Sequence, residues 1–183
     1  MEEEIYKEYH LNQVLENLGG PSKEQIIVFN QWAAVALNKF HSNSKTLFNF
    51  NLNGIRSECI LNWDSNFSQD AMREKKTLAE NGGISLAMFV MSILSDYKYV
   101  HQSEIGAGTD YGFTKTKPTS ENFLENCHYI EVSGLLEEKG VNTLSNRVQI
   151  KHKQIEKGSN RDNKSSIIVT LFNDALTHQE KHK

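Results

Sequence analysis

Apolar positions recur along this chain with a period that switches between helix and strand, and the switches outline its elements. Tyr6, Leu11, Val14, Leu15 and Leu18 follow helical spacing and stop at Gly19-Gly20, which predicts a short first helix. Ser22 then stands as an N-cap ahead of a second helix, whose broad apolar face comprises Ile26, Ile27, Phe29, Trp32, Ala33, Val35, Ala36 and Phe40. The stretch KTLFNFNLNGIRSECILNW changes to period two and carries Asn53-Gly54 where a tight turn needs positive φ, so it reads as a β-hairpin. A polar connection follows and runs into a helix through ISLAMFVMSILSDY, with Gly82-Gly83 marking close packing against a sheet.

Beyond that helix the pattern is strand-rich. YKYVHQSEI, TDYGFTKT and CHYIEVSGLL read as three strands, NTLSNRVQIKHKQIEKG as an amphipathic helix and SSIIVTLF as a buried strand. From residue 77 onward the order is αβββαβ, an α/β (α+β) pattern that implies a mixed sheet flanked by helices. Residues 1–70 form an extension of helices and a hairpin, and residues 71–183 the core, within one compact domain.

Composition narrows the function classes. With 183 residues, 23% charged residues and a net charge of −3, the chain carries no global basic field, so any phosphate-binding surface must be local. Cys59 and Cys127 sit in apolar segments without C-x-x-C spacing and read as reduced core residues. No apolar segment follows Met1, and ISLAMFVMSIL is too short to span a bilayer, so the expectation is a cytoplasmic protein that engages no membrane. His101, His128 and His152 lack H-x-x-x-H spacing with a nearby acid, and no nucleophile elbow, phosphate-loop or dinucleotide motif occurs.

Two carboxylates stand out against this background. Asp110 follows Gly-Ala-Gly at the start of one strand, and Glu131 lies between Ile130 and Val132 in the next. On paired strands they would approach to a cross-strand distance of ~5 Å and could hold a divalent cation, Mg²⁺ or Mn²⁺, which takes hard oxygen ligands. Alternation places Tyr129, Glu131 and Ser133 on one face, while Arg147, Lys151 and Gln154 share a stripe of the following helix and Lys153 points elsewhere. Each feature also has an ordinary structural reading. Asp110 can be a turn residue, Glu131 an ion-pair partner of Arg147 or Lys151, and the stripe a solvated helix face.

Taken together, the G-x-D, the E-x-S and the R-x-x-x-K-x-x-Q helix resemble the PD-(D/E)XK phosphodiesterases, the restriction-endonuclease-like nucleases, over residues 77–173. They are also similar to bacterial proteins that pair GxDYW with EVSG. The resemblance implies a restriction-endonuclease-like core and a metal-dependent nuclease. In it Asp110 and Glu131 bind Mg²⁺ or Mn²⁺, Lys151 and Gln154 complete the catalytic set, and Arg147 and Ser133 contact phosphate. Ser133 replaces the strand lysine of the superfamily, a role that passes to Lys151 on the helix. Glu80, before the long helix, and Glu104, before the Gly-Ala-Gly turn, are weaker candidates for further metal oxygens. The implied substrate is DNA before RNA, and the implied setting is one subunit of a bacterial restriction, repair or phage-defence assembly, or a homo-oligomer. The alternative is a binding or scaffolding subunit that keeps the fold without the chemistry.

Overall fold

A computed structural model of the protein describes residues 6–64, 66, 72–119 and 126–182. The N-terminal segment departs from the expected first helix. Strand β1 (Glu8–His10) runs parallel to residues 60–62, and only then come a single 3-10 turn (Leu11–Gln13) and one turn of helix α1 (Val14–Asn17). His10 and Gln13 form a reciprocal cap that delays helix entry. An isolated helix this short is marginal in water, so pairing with the sheet outweighs propensity before residue 11. Leu11, Val14 and Leu18 are nonetheless buried, as their spacing suggests.

The remaining elements follow the sequence pattern more closely. Helix α2 (Lys23–Asn38) starts where Ser22 accepts the Gln25 N–H, although Ile27 and Phe40, counted with its apolar face, are exposed. Strands β2 (Lys45–Leu52) and β3 (Ile55–Asn62) make the hairpin, and both Asn53 and Gly54 adopt positive φ. Helix α3 (Lys75–Phe89) continues as a π-helical turn (Val90–Leu94). That run of 20 residues is apolar and long enough to cross a bilayer, longer than its most apolar stretch alone, and it is mostly buried inside the protein. Then come β4 (Tyr99–Gln102), β5 (Tyr111–Thr114), β6 (His128–Leu135), α4 (Leu144–Lys157) and β7 (Ser165–Leu171). A last strand, β8 (Leu176–Lys181), has no counterpart in the sequence reading.

All the described strands belong to one mixed sheet in the order β1-β3-β2-β8-β7-β6-β5-β4. β6 and β7 are parallel and joined through α4, whereas β5 and β6 are antiparallel neighbours. α2 and α3 cover one face, where Phe48, Phe50, Ile130, Val132, Ile168 and Phe172 join Leu78, Leu86 and Phe89 in the larger core. On the opposite face α4 sets Val148 and Ile155 over Leu135, Ile167, Val169 and Leu171. β6 is buried along its whole length because helices lie on both of its sides.

Of the glycine pair in α3, Gly83 packs on this sheet, while Gly82 faces Ala33 of α2 and the Phe172 ring. A Cβ on Gly83 would stand 3.0 Å from the Ser133 carbonyl oxygen, and one on Gly134 would stand 1.8 Å from the Ala79 carbonyl oxygen. Helix and strand backbones therefore touch directly behind residues 133 and 134, which fixes the strand that carries Glu131.

Candidate functional site

The β5–β6 ladder runs from Phe113↔His128 to Tyr111↔Ile130, and the Asp110 N–H still donates to the Ile130 carbonyl at 2.8 Å. One residue on, the Asp110 carboxylate replaces the backbone: its Oδ2 accepts the Val132 N–H at 2.8 Å. Asp110 is thus the side chain that ends the ladder. This spends one of its oxygens and aims the carboxylate at Glu131, its neighbour across the strands.

A close backbone contact fixes the approach to Asp110. Gly108 has φ +77°, and a Cβ on it would lie 2.8 Å from the Gln154 carbonyl oxygen, while one on Gly158 would lie 2.2 Å from the Ala107 carbonyl oxygen. The loop before β5 is therefore seated on the C-terminal end of α4. It is tied there by the Ser159 N–H to Gly106, the Asn160 N–H to Ala107, and Asn160 Nδ2 to Thr109 Oγ1 at 2.8 Å. The Gly-Ala-Gly run permits this approach, and the approach brings Asp110 beside α4.

Glu131 is fully buried and lies on the α4 side of β6, in register with Ile167. The Lys151 ammonium, whose side chain is only 15% exposed, donates to Glu131 Oε1 at 2.5 Å, and it reaches Gln154 Oε1 at 3.4 Å. The second carboxyl oxygen, Oε2, is buried and receives no donated hydrogen bond among the described residues, while the Asp110 carboxylate stands within hydrogen-bond reach of Glu131. Burial, and after it the charge of the adjacent Asp110, push the Glu131 carboxyl up to about 8, against the opposing pull of Lys151. One ammonium does not offset both a dry environment and a second carboxylate. The Tyr111 and Tyr129 phenols are each held up at about 12, chiefly by burial, so both remain protonated near neutral pH.

Of the residues singled out in the sequence, Asp110, Glu131, Lys151 and Gln154 come together. Ser133 is buried on the same face of β6 as Glu131, two residues further along. Arg147 departs from the group although it shares the helical stripe: its Nε donates to Asn142 Oδ1 at 2.8 Å, and it lines a separate cleft that also contains Glu80. Glu80 lies 3.9 Å from Lys76, and Glu104 is an exposed turn residue whose carbonyl accepts the Ala107 N–H. Among the described residues no three Asp, Glu, His or Cys side chains are gathered as a metal-ligand set. A cation here would have two carboxylates and would draw its other oxygens from water, backbone or substrate. That coordination suits Mg²⁺, which keeps several waters. Once Glu131 releases its proton, its Oε2 and the adjacent Asp110 carboxylate form a pair of acceptors that such an ion would satisfy.

Sequence reasoning overlooked two polar groupings. On the other flank of α4, His152 meets Glu180 Oε1 at 3.0 Å through Nε2 and His182 Nδ1 at 2.9 Å through Nδ1, with His178 also 3.5 Å from Glu180. On the α3 side of β6, His128 bridges the Tyr97 hydroxyl (2.9 Å) and the Ser166 hydroxyl (2.8 Å), and burial lowers its pKa to about 4. A search for metal-ligand spacing misses both, since their members come from separate elements. The period-two placement of His178 and Glu180 was the one local clue.

No family model matches the chain, and no curated protein or solved structure matches it either.

Proposed function

We propose that this protein is a metal-dependent phosphodiesterase that hydrolyses nucleic acid, DNA before RNA, through Asp110, Glu131, Lys151 and Gln154. The observation that carries the reading is Glu131 itself: a fully buried carboxyl with one oxygen on Lys151, the other without a donor, and a second carboxylate beside it. A buried acid set beside a second carboxylate is costly to keep for structure alone, and a strongly perturbed carboxyl with a charge partner is a functional-site candidate. The αβββαβ order of α3 to β7 supports a restriction-endonuclease-like core, to which the N-terminal elements and β8 are additions.

The chain's own groups divide the work. Asp110 Oδ1 and Glu131 Oε2 are the oxygens offered to Mg²⁺ or Mn²⁺, which when bound would polarise a phosphate oxygen and acidify a water. Glu131 holds a proton near neutral pH and must release it to serve as a ligand. Lys151 sets its ammonium on Glu131 in place of the strand lysine for which Ser133 stands, positioned to counter negative charge developing on phosphate. Gln154 holds the ammonium from the solvent side. The protein would act as one subunit of a bacterial restriction, repair or defence assembly, whose partner supplies the DNA affinity that a net charge of −3 does not.

A second reading has its own support. Asp110 Oδ2 is committed to Val132 and Lys151 sits directly on Glu131, an arrangement that an inactive scaffolding subunit could keep as a buried ion pair. Cleavage separates the two. Plasmid and single-stranded DNA incubated with Mg²⁺ or Mn²⁺ should be cut by the wild type and spared when the cation is chelated. Asp110→Asn, Glu131→Gln and Lys151→Ala should each cut at least about a hundredfold more slowly. Equal cutting by all of these proteins would remove the site from the chemistry, and cutting by none would favour the scaffold.

A further inference from the structure

We propose that the cleft lined by Lys75, Lys76, Lys139 and Arg147 is a second anion site, which binds a backbone phosphate of the nucleic-acid strand adjoining the one at Glu131. The substrate rests on the function proposed above, whereas the anion site rests on the cleft alone. Its cavity, about 290 Å³, opens where β6 ends, between the first turns of α3 and α4. The end of a parallel strand that feeds a crossover helix is a common place for ligands in sheets of this kind.

Charge gathers there against the trend of the molecule. The four cations come from three separate segments and face two carboxylates, Glu80 and Glu137, so the lining is net positive in a chain of net charge −3. Lys76 and Glu80 form an exposed pair at 3.9 Å, which contributes little and exchanges easily. The acids at the two helix starts already occupy backbone donors. Glu74 accepts the Lys76 and Thr77 N–H groups, and Glu138 accepts the Leu144 N–H. Side-chain cations, rather than free helix N-termini, are therefore what the cleft presents to an anion.

Arg147 is held ready for this role. Lys139 and Asn142 exchange backbone hydrogen bonds of 3.1 and 3.0 Å, and the Asn142 side chain then takes the Arg147 Nε–H at 2.8 Å. That bond fixes the guanidinium plane and leaves its two terminal nitrogens as the fork suited to a phosphate. A guanidinium whose hydrogen bond among the described residues is made through Nε, in a cleft with three lysines, has the right chemistry for an oxyanion and the wrong chemistry for a cation or an apolar ligand.

The spacing links the cleft to the carboxylates. Arg147 precedes Lys151 by one helical turn, roughly 6 Å along α4, and Gly134 follows Glu131 by three strand residues, roughly 10 Å. A strand lying along α4 would thus place one phosphate at Lys151 and a neighbouring one at Arg147. The cleft would fix which phosphodiester is presented.

The test is binding without metal. A fluorescent single-stranded 12-mer would be titrated with the full-length protein from about 50 to 200 mM salt, with inorganic phosphate and a dinucleotide as competitors. Lys139→Ala and Arg147→Ala should each weaken the oligonucleotide several-fold and flatten the log–log salt slope by about 0.7, the value for one lost phosphate contact on a single strand. Lys153→Ala, on another side of α4, should change neither as much. Arg147→Lys should retain part of the affinity that Arg147→Ala loses. Competition by the dinucleotide well below the concentration needed for inorganic phosphate supports a strand-backbone site. Equal competition by the two would reduce it to a site for free phosphate and overturn the proposal. So would no binding by the wild type at 50 mM salt, or an unchanged slope in the Lys75→Ala, Lys139→Ala, Arg147→Ala triple variant. The outcomes are separable. Loss of binding in these variants from a protein that cuts nothing would sink the nuclease and keep the cleft, and cleavage that depends on Glu131 with binding indifferent to Arg147 would do the reverse.

Discussion

Lys151 and His152 are consecutive on α4, yet they meet the sheet on opposite flanks of the helix, and the glutamates they reach behave in opposite ways. Glu131 is fully buried, beside a second carboxylate, and its carboxyl titrates far above the ordinary range in spite of an ammonium at 2.5 Å. Glu180 is 46% exposed, and a hydrogen bond from His152 holds its carboxyl below the ordinary value, opposed by burial and helped more weakly by His178. At Glu131 burial and the nearest like charge outweigh the ammonium, whereas at partly exposed Glu180 the His152 hydrogen bond is the largest influence, so a partner decides the outcome only where water still reaches the carboxyl.

Substitutions on the two flanks should separate them, beginning with the largest effect. The folded pKa of Glu131 lies above its unfolded value, so the folded state holds a proton that the unfolded state has lost. Wild-type stability should then fall as pH rises from about 4.5 to about 8 and level off beyond, with a slope approaching about 1.4 kcal/mol per pH unit from this one group. Glu131→Gln removes that contribution. Urea unfolding across pH 5–9 should show the variant gaining on the wild type as pH rises, and parallel curves would mean that Glu131 is not the buried acid described here.

Lys151→Met should come next, costing about 1–2 kcal/mol at pH 9 and less at pH 6, because Glu131 can meet the loss of its partner by keeping its proton. An equal cost at both pH values would show that Lys151 contributes packing rather than charge. The smallest effect belongs to the exposed flank. Glu180→Gln should cost under about 1 kcal/mol after solvent screening, and added salt should erase the difference. Its sign is opposite to that of Glu131: the contribution is present above the unfolded pKa and is lost as pH falls through the lowered folded value. A Glu180 effect as large as that of Glu131 would collapse the comparison.

The parts of this arrangement that were legible in the sequence are those with a local signature. Alternation around Glu131 placed it with Tyr129 and Ser133, the neighbouring strand brought Asp110 alongside, and a helical stripe joined Lys151 to Gln154. Arg147 shows where such reasoning stops, since a helical wheel gives a face but not a partner, and Asn142, five residues earlier, holds the guanidinium elsewhere. β8 was missed because its buried positions, Thr177 and Gln179, are polar, with the Thr177 hydroxyl bonded to Thr170 at 2.9 Å only through the tertiary fold. β1 was missed for another reason. Three residues that pair with a distant strand carry no periodicity of their own.

The position of β8 has a consequence for how the molecule is made. It comes last of the described strands in sequence but not in the sheet: it sits between β2 and β7 and is the link that joins the N-terminal hairpin to the strands carrying Asp110 and Glu131. A chain emerging from the ribosome completes its hairpin early and must then wait through every other element before the parallel partner of β2 exists. During that interval β2 presents an unpaired edge, a surface prone to the wrong pairing. The closing step spans most of the chain, so it carries a large loop-closure cost and belongs late in folding.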